Sequence, residues 1–219
     1  MSRDALAGLR VLVSAGPTFE DIDPVRFIGN RSSGKMGFAI AAAAARRGAG
    51  TVLVAGPVTL DTPAGVDRRD VRSAAQMHAA VLGALPADVY IGAAAVADFT
   101  PAEVAEGKIK KQPGSGGLTL ELVRTADILA DVASHALRPR LVLGFAAETA
   151  DLEANAQDKL RRKRVDMIAG NCVGVAGSGF EADDNTLHVF DATGSHVLGP
   201  GPKTGLAEAL LDLVAARLQ

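Results

Sequence analysis

Three clusters of residues in this 219-residue chain have the types and spacing to hold anions. The first lies in SAGPTFEDIDPVRFIGNRSSGKMG, residues 14–37. Within it, Gly29 to Lys35 fits the G-x-x-x-x-G-K half of a phosphate loop. Met36, however, stands where a Ser or Thr hydroxyl would hold Mg2+, and the motif lies some way beyond the strand before it. As a pattern alone it reads as a Gly/Ser-rich turn capping a helix. Its composition adds an anion site. Ser32, Ser33 and Gly34 open the helix, so free backbone N–H groups and the positive dipole end face whatever sits there. Asn30, Arg31 and Lys35 add directional donors, and a phosphate or carboxylate there would be well held.

The second cluster is AAAVADF, residues 93–99. Small residues at a strand's carboxyl end let a flat ring or a phosphate approach the backbone, where open α/β sheets bind ligands. Alanines that merely pack a helix would look the same. Asp98, at the strand-to-loop junction, offers a carboxylate to a ribose hydroxyl or a metal. The third cluster is KIKK, residues 108–111, within a long polar stretch. Such a run is a solvated face by default, and in the middle of a lid it becomes a cationic flap over phosphates. Further on, GFAAET (144–149) ends another strand, with Phe145 placed for core packing or a base edge and Glu148 exposed. Lys159 and Lys163 stand at i, i+4 on one helix face, where like charges cost stability unless solvent or an anion offsets them. No Ser/His/Asp set, cysteine nucleophile or carboxylate pair accompanies these groups. Positioning and charge stabilisation are therefore the expected chemistry.

The elements that must position these groups alternate along the chain. LRVLVSAG (9–16), TVLVAGP (51–57) and DVYIGAAAV (88–96) read as buried strands. The helices between them are 34–48, stopped by Gly48, and 73–85, opened by Ser73 as N-cap. Together they make the first half of a doubly wound sheet. Residues 98–117 have no sustained period and are too long for an ordinary loop, which suits a lid or a binding loop. Then follow an exposed strand at 118–123, a helix at 125–137, a buried strand at 140–148, a charged helix at 151–164 and a strand at 166–171. A hairpin around Ala192-Thr193-Gly194 joins strands 186–191 and 196–199, and an amphipathic helix spans 203–218. The expected fold class is α/β: a single domain over residues 1–219, mostly parallel, three-layered, with an antiparallel hairpin and a flap at about 98–117.

Composition narrows the class. With 23 Lys+Arg against 25 Asp+Glu the net charge is −2, which argues against a nucleic-acid partner. No segment approaches the roughly 20 apolar residues of a membrane span. The start lacks the apolar core of a signal peptide, so a reduced cytoplasmic setting is expected. The single cysteine, Cys172, excludes an internal disulfide framework. His78, His135, His188 and His196 lack ligand spacing, so no protein-built metal site is expected. One Tyr and no Trp leave no stacking platform for single-stranded nucleic acid.

SAGPT, IDPVRFIGNRSSGKMG, AAAVADF, KIKK, GFAAET, the K-x-x-x-K helix, the N-x-V after strand 166–171 and GFEADDNTLHVF occur in the order seen in phosphopantothenate–cysteine ligases. The chain resembles that family over residues about 9 to 218. In bacteria this synthetase domain is often fused to a flavin-dependent decarboxylase, which is absent from this sequence. The resemblance thus implies a free-standing ligase or the C-terminal domain of a longer protein, with no flavin in this chain. It implies that CTP and 4′-phosphopantothenate give an acyl-cytidylate and pyrophosphate, after which the amine of L-cysteine attacks and CMP leaves. It further implies Mg2+ carried mainly by the CTP phosphates, a homodimer, and a sheet blending Rossmann-like and ribokinase-like topology.

By the same resemblance, Gly92, Ala93, Ala94, Asp98, Lys108, Ala126, Asp127, Ile128, Leu129, Phe145, Lys159 and Lys163 hold CTP. Arg26, Asn30, Ser32, Ser33, Gly34 and Lys35 form the phosphopantothenate and anion side. Asn30 is similar to the asparagine that turns over the acyl-cytidylate, and Lys108 to the flap lysine needed to form it. Arg26 matches an arginine that reaches toward the partner subunit's site. Cys172 departs from an often acidic position, and residues 112–117 are a variable flap stretch. Two rivals remain: an ATP-using ligase of eukaryotic type, and a nucleotide-sensing module without turnover, for which the G-x-G-x-x-G fingerprint after the first strand is missing.

Overall fold

The computed structural model describes residues 5–111, 117–148, 151–172 and 184–219. The quoted motifs that fall at 112–116 and 173–183, and the side chains of Glu148 and Cys172, lie outside the described residues. Strand β1 (Arg10–Ala15) is buried from Val11 onward. It earns that run of apolar residues by lying in the interior of the sheet, flanked in parallel by β4 (Gly50–Ala55) and β6 (Val89–Gly92). The remaining parallel strands are β5 (Val66–Asp70), β9 (Leu141–Glu148) and β10 (Met167–Cys172). Strands β11 (Asp184–Asp191) and β12 (Gly194–Pro202) add an antiparallel hairpin at one edge.

The spatial order is β12-β11-β10-β9-β6-β1-β4-β5. Numbered along the chain, the parallel strands run 3-2-1-4-5-6, the doubly wound order, and the direction of winding reverses between β1 and β6. Helices α1 (Lys35–Arg46) and α5 (Lys203–Leu218) cover one face, burying Phe38, Ile40, Leu206 and Leu210 against Val13, Leu53 and Leu143. Helices α2 (Ala74–Leu82), α3 (Ile128–Ser134) and α4 (Leu152–Lys163) cover the other, burying Met77, Val132 and Leu160 with Leu12, Val54 and Val142. The expected three layers are present. So is the Ser73 cap, which accepts from Gln76 N at 3.2 Å in a full capping box. Arg47, largely buried, bridges α1 to α5 through Glu208 at 2.7 Å and Asp212 at 2.8 Å.

Several short elements differ from the sequence expectation. Strand β5, VDRRD, is a polar edge strand held by backbone pairing to β4, and its side chains carry no apolar signal. The strand expected over 88–96 ends at Gly92. Residues 93–97 leave the sheet and bond to the extension of β1: Ala95 N donates to Gly16 O at 2.9 Å, and Ala97 N to Thr18 Oγ1 at 3.0 Å. The exposed strand expected at 118–123 is β8 (Leu122–Arg124), paired with β7 (Phe99–Pro101). A second ribbon, β2 (Phe19–Asp21) with β3 (Phe27–Gly29), was not anticipated. Its short strands close on stacked Phe19 and Phe27 rings, 4.0 Å apart, with Arg72 over both. Helix α3 is shorter than the expected 125–137 at both ends: Asp127 caps it, accepting from Ala130 N, and it stops at Ser134.

Helix α1 reaches the carboxyl end of β1 through Gly37. A Cβ there would lie 2.4 Å from Ala15 Cβ, well inside contact distance. Gly37→Ala should therefore displace the first turn of α1 and destabilise the fold by about 1–3 kcal/mol, the usual range for overpacking. Gly107→Ala, where a Cβ meets nothing within 4 Å, is the control. Urea denaturation of both variants checks this, and equal stability would contradict the close contact.

Candidate ligand site

Two cavities open at the carboxyl edge of the sheet, one on each side of the segment 93–98, beside the point where winding reverses. The first, about 450 Å3, is floored by Ser14, Tyr90 and Gly92 and walled by the start of α3. Ser14 Oγ and Tyr90 Oη are hydrogen-bonded at 3.0 Å, and burial pushes the phenol up to about 12, so it stays neutral. Leu129 sits on the sheet where Gly144 has no side chain; a Cβ at Gly144 would stand 2.4 Å from Leu129 Cδ2. The second cavity, about 550 Å3, runs from Asn30 and the start of α1 to Asn171, Asn185 and Lys203. Ala94, Val96, Asp98, Phe145 and Lys159 line both, so the two form one bipartite cleft.

Every local device here fixes backbone. Thr18 N donates to Ala95 O at 3.4 Å, and Thr125 Oγ1 donates to Ala97 O at 2.7 Å. The divider between the cavities is thus held from two sides. Asn30 reaches it as well: its Nδ2 donates to Val96 O at 2.9 Å, which orients the amide and leaves it one further N–H. Gly34, in the left-handed region at φ 75°, turns the chain into α1 and caps it without a side-chain hydrogen bond. The first turn of α1 thus opens at the second cavity, which Gly34, Lys35, Met36 and Gly37 all line. Across the cleft, α4 carries Lys159, whose Nζ donates to Phe145 O at 2.9 Å, and Lys163, whose Nζ donates to Asp127 Oδ1 at 2.9 Å.

Of the residues expected at the nucleotide side, Gly92, Ala94, Asp98, Ala126, Asp127, Ile128, Leu129, Phe145, Lys159 and Lys163 line the first cavity, and Ala93 lines the second. Asn30, Ser32, Ser33, Gly34 and Lys35, expected on the anion side, line the second. Lys108 and Arg26 line neither. They stand on the ribbon side, where Arg26 pairs with Asp23 and donates to Ile109 O at 3.1 Å. Sequence reasoning missed Lys203, Asn171 and Asn185 as cleft residues, all three buried. Asn171 stood in a quoted motif without a role. Lys203 carried no local signal, because it comes from the far end of the chain and arrives through the α1–α5 packing. Thr18 and Thr125, the braces of the divider, were also given no such task.

A doubly wound α/β domain with a bipartite cleft at its switch point is the class these features define. The chain belongs to the family described as the DNA/pantothenate metabolism flavoprotein C-terminal domain, whose model matches residues 6–218. It is 50% identical over 210 residues to the coenzyme A biosynthesis bifunctional protein CoaBC of Vibrio cholerae, covering 95% of this chain and 53% of that one. Against the Escherichia coli K12 protein of the same description it is 49% identical over 214 residues, covering 97% and 53%. The chain thus spans about half the length of the curated relatives it matches. Among solved structures, the C-terminal domain of a CoaBC protein superposes with a TM-score of 0.83 at 38% identity, covering 98% of both chains. A Cab2 variant complexed with phosphopantothenate-cysteine shares the fold, at a TM-score of 0.76 and 16% identity, covering 95% of this chain and 86% of that one.

Asp127 reports on the first cavity. Partial burial pushes its carboxyl up, but the Lys163 ammonium, the Ala130 N–H it caps and the Arg162 charge outweigh this and hold it below the usual carboxylate range. Its stabilising contribution is therefore present above the unfolded pKa of about 3.9 and lost as pH falls through the lower folded value. Lys163→Met should move the Asp127 titration upward, as followed by carboxyl NMR. An unmoved titration would show that Lys163 does not pair with Asp127 in solution.

Proposed function

We propose that this chain joins 4′-phosphopantothenate to L-cysteine, using CTP to activate the acid, as a step of coenzyme A biosynthesis. The observation that carries the reading is the bipartite cleft. One cavity has room and backbone for a nucleoside, the other has a helix start and amides for anions, and the two meet over residues 94–98. The names of the relatives that match nearly the whole of this chain support it.

The chemistry follows from joining two anions. A carboxylate oxygen of phosphopantothenate attacks the α-phosphorus of CTP, and pyrophosphate leaves from that phosphorus. The amine nitrogen of cysteine then attacks the acyl carbonyl and CMP departs with the carboxylate oxygen. Both anions must be screened before the first bond can form, and preorganised donors do this without reorganisation. Lys35 and Lys203 flank the second cavity and Lys159 belongs to both. Asn30 turns its remaining N–H toward the acyl oxygen, held by its bond to Val96. Lys108, on the exposed loop, is the cation whose flexible side chain reaches over the phosphates.

Mg2+ supplies further neutralisation of the triphosphate when bound. Among the described residues no three His, Cys, Asp or Glu side chains gather around one point, so in this reading the phosphates carry the ion, with Asp98 the carboxylate that faces both cavities. The flavin of the family's description belongs to the decarboxylase part of the longer proteins, the partner this reading assigns. The reading assigns the step to the cytoplasm; among the described residues no helix is long and apolar enough to cross a membrane. The homodimer of this reading uses the ribbon face. Val25, Phe27, Phe99, Val104, Leu122 and Val123 are all exposed there, with Arg26 in their midst.

Pyrophosphate release from CTP should require phosphopantothenate, and ATP should not replace CTP. In quenched single turnovers analysed by mass spectrometry, Lys108→Gln should fail to form acyl-cytidylate. Asn30→Asp should form it and pass it to cysteine about 10²–10³-fold more slowly, the usual effect of losing one such donor. The reverse pattern, or CTP bound without turnover, would overturn the proposal.

A further inference from the structure

The side chain of Asp23 is fully shielded from solvent, in the turn between β2 and β3, and one carboxylate there gathers donors from two distant parts of the chain. Its Oδ1 accepts from the Val25 and Arg26 backbone N–H groups, both at 2.9 Å, and so shapes the turn itself. Its Oδ2 faces the other way. It accepts from the Arg26 guanidinium, with Nε at 3.1 Å, and from the backbone N–H of Ile109 at 3.1 Å. Arg26 then donates to the carbonyl of the same Ile109, also at 3.1 Å. Both polar groups of the Ile109 backbone are therefore held by the Asp23–Arg26 pair. Ala105 N, which donates to Ile22 O at 3.0 Å, adds a second tie between the same two segments. Ile109 lies half-buried between Lys108 and Lys110, which are exposed.

We propose that Asp23 is a positioning residue: with Arg26 it clasps the Ile109 backbone and so sets where Lys108 stands relative to the cleft. The inference rests on the role given to Lys108 above. A lysine on a loop contributes to a reaction only from a defined place, and a displacement of about 1 Å can cost roughly 10²-fold in rate. The division of labour within the carboxylate makes the clasp separable from the turn. Oδ1 keeps the turn, and Oδ2 alone ties the loop. Asp23→Asn retains the first acceptor, but puts an N–H2 where the guanidinium and the Ile109 N–H both need an acceptor.

Asp23→Asn should lower kcat for ligation about 10²-fold while leaving KM for CTP within twofold. Ile109 amide exchange should accelerate, with Val25 and Arg26 still protected. Ile109→Pro removes the donated N–H without touching Asp23 and should reproduce the loss of kcat, which keeps the proposal testable if Asp23→Asn folds poorly. Asp23→Asn combined with Lys108→Gln should be no slower than Lys108→Gln alone, a non-additivity that general loosening would not produce. Multiplicative losses, or a wild-type kcat in both Asp23→Asn and Ile109→Pro, would overturn the clasp. A wild-type rate in Lys108→Gln would instead remove the role assigned to Lys108, whatever the exchange at Ile109 shows.

Discussion

Helix α1 and strand β1 meet at Gly37 and Ala15 without room for another carbon, and the geometry of the cleft descends from that contact. Because the helix comes so close, its first turn ends level with the carboxyl end of the strand, where Lys35, Met36 and Gly37 line the second cavity. Arg47 then ties the other end of α1 to α5 through Glu208 and Asp212. Burial pushes Glu208 up, but hydrogen bonds and charge from Arg46 and Arg47 outweigh it and hold the carboxyl below its ordinary value, so the bridge stays ionised at neutral pH. Through that bridge the position of α1 also sets the position of α5, whose first residue, Lys203, lines the same cavity.

The site built on this frame solves an electrostatic problem by distribution. The cations that line the cleft come from three helices, Lys35 from α1, Lys159 and Lys163 from α4 and Lys203 from α5, so no element carries the whole charge. The apolar parts work by withdrawal. Gly92 and Gly144 lack side chains, which lets Leu129 seat on the sheet and leaves the first cavity its depth. The divider at 93–97 is the rigid counterpart of the loop. It is braced by Thr18 and Thr125, whereas the lysines of KIKK are exposed and their segment is tied through the backbone of Ile109 and Ala105.

Where the sequence was legible, the reason is periodicity or punctuation. Buried strands such as β1 and β4 announce themselves as apolar runs, and Ser73 and Gly48 mark helix ends by their local conformational needs. The gathering of Asn30 to Lys35 at one cavity was legible because the Gly/Ser-rich turn sits directly at the start of α1. Strand β5 and the ribbon β2–β3 were not legible, because polar short strands owe their existence to pairing partners. Lys203, Asn171 and Asn185 were hidden for a different reason. Asn171 reaches the cleft only through the pairing of β10 with β9, and Asn185 and Lys203 only when the hairpin and α5 close on α1, from more than a hundred residues away in the chain.

The central claim is that the two cavities bring a carboxylate oxygen onto the α-phosphorus of a nucleotide. Oxygen labelling follows that bond directly. With 4′-phosphopantothenate carrying oxygen-18 in its carboxylate, ligation to cysteine should place one labelled oxygen in CMP, since that oxygen bridges acyl and phosphoryl groups and leaves with the nucleotide. Label appearing in inorganic phosphate or pyrophosphate, or CMP free of label, would contradict the account.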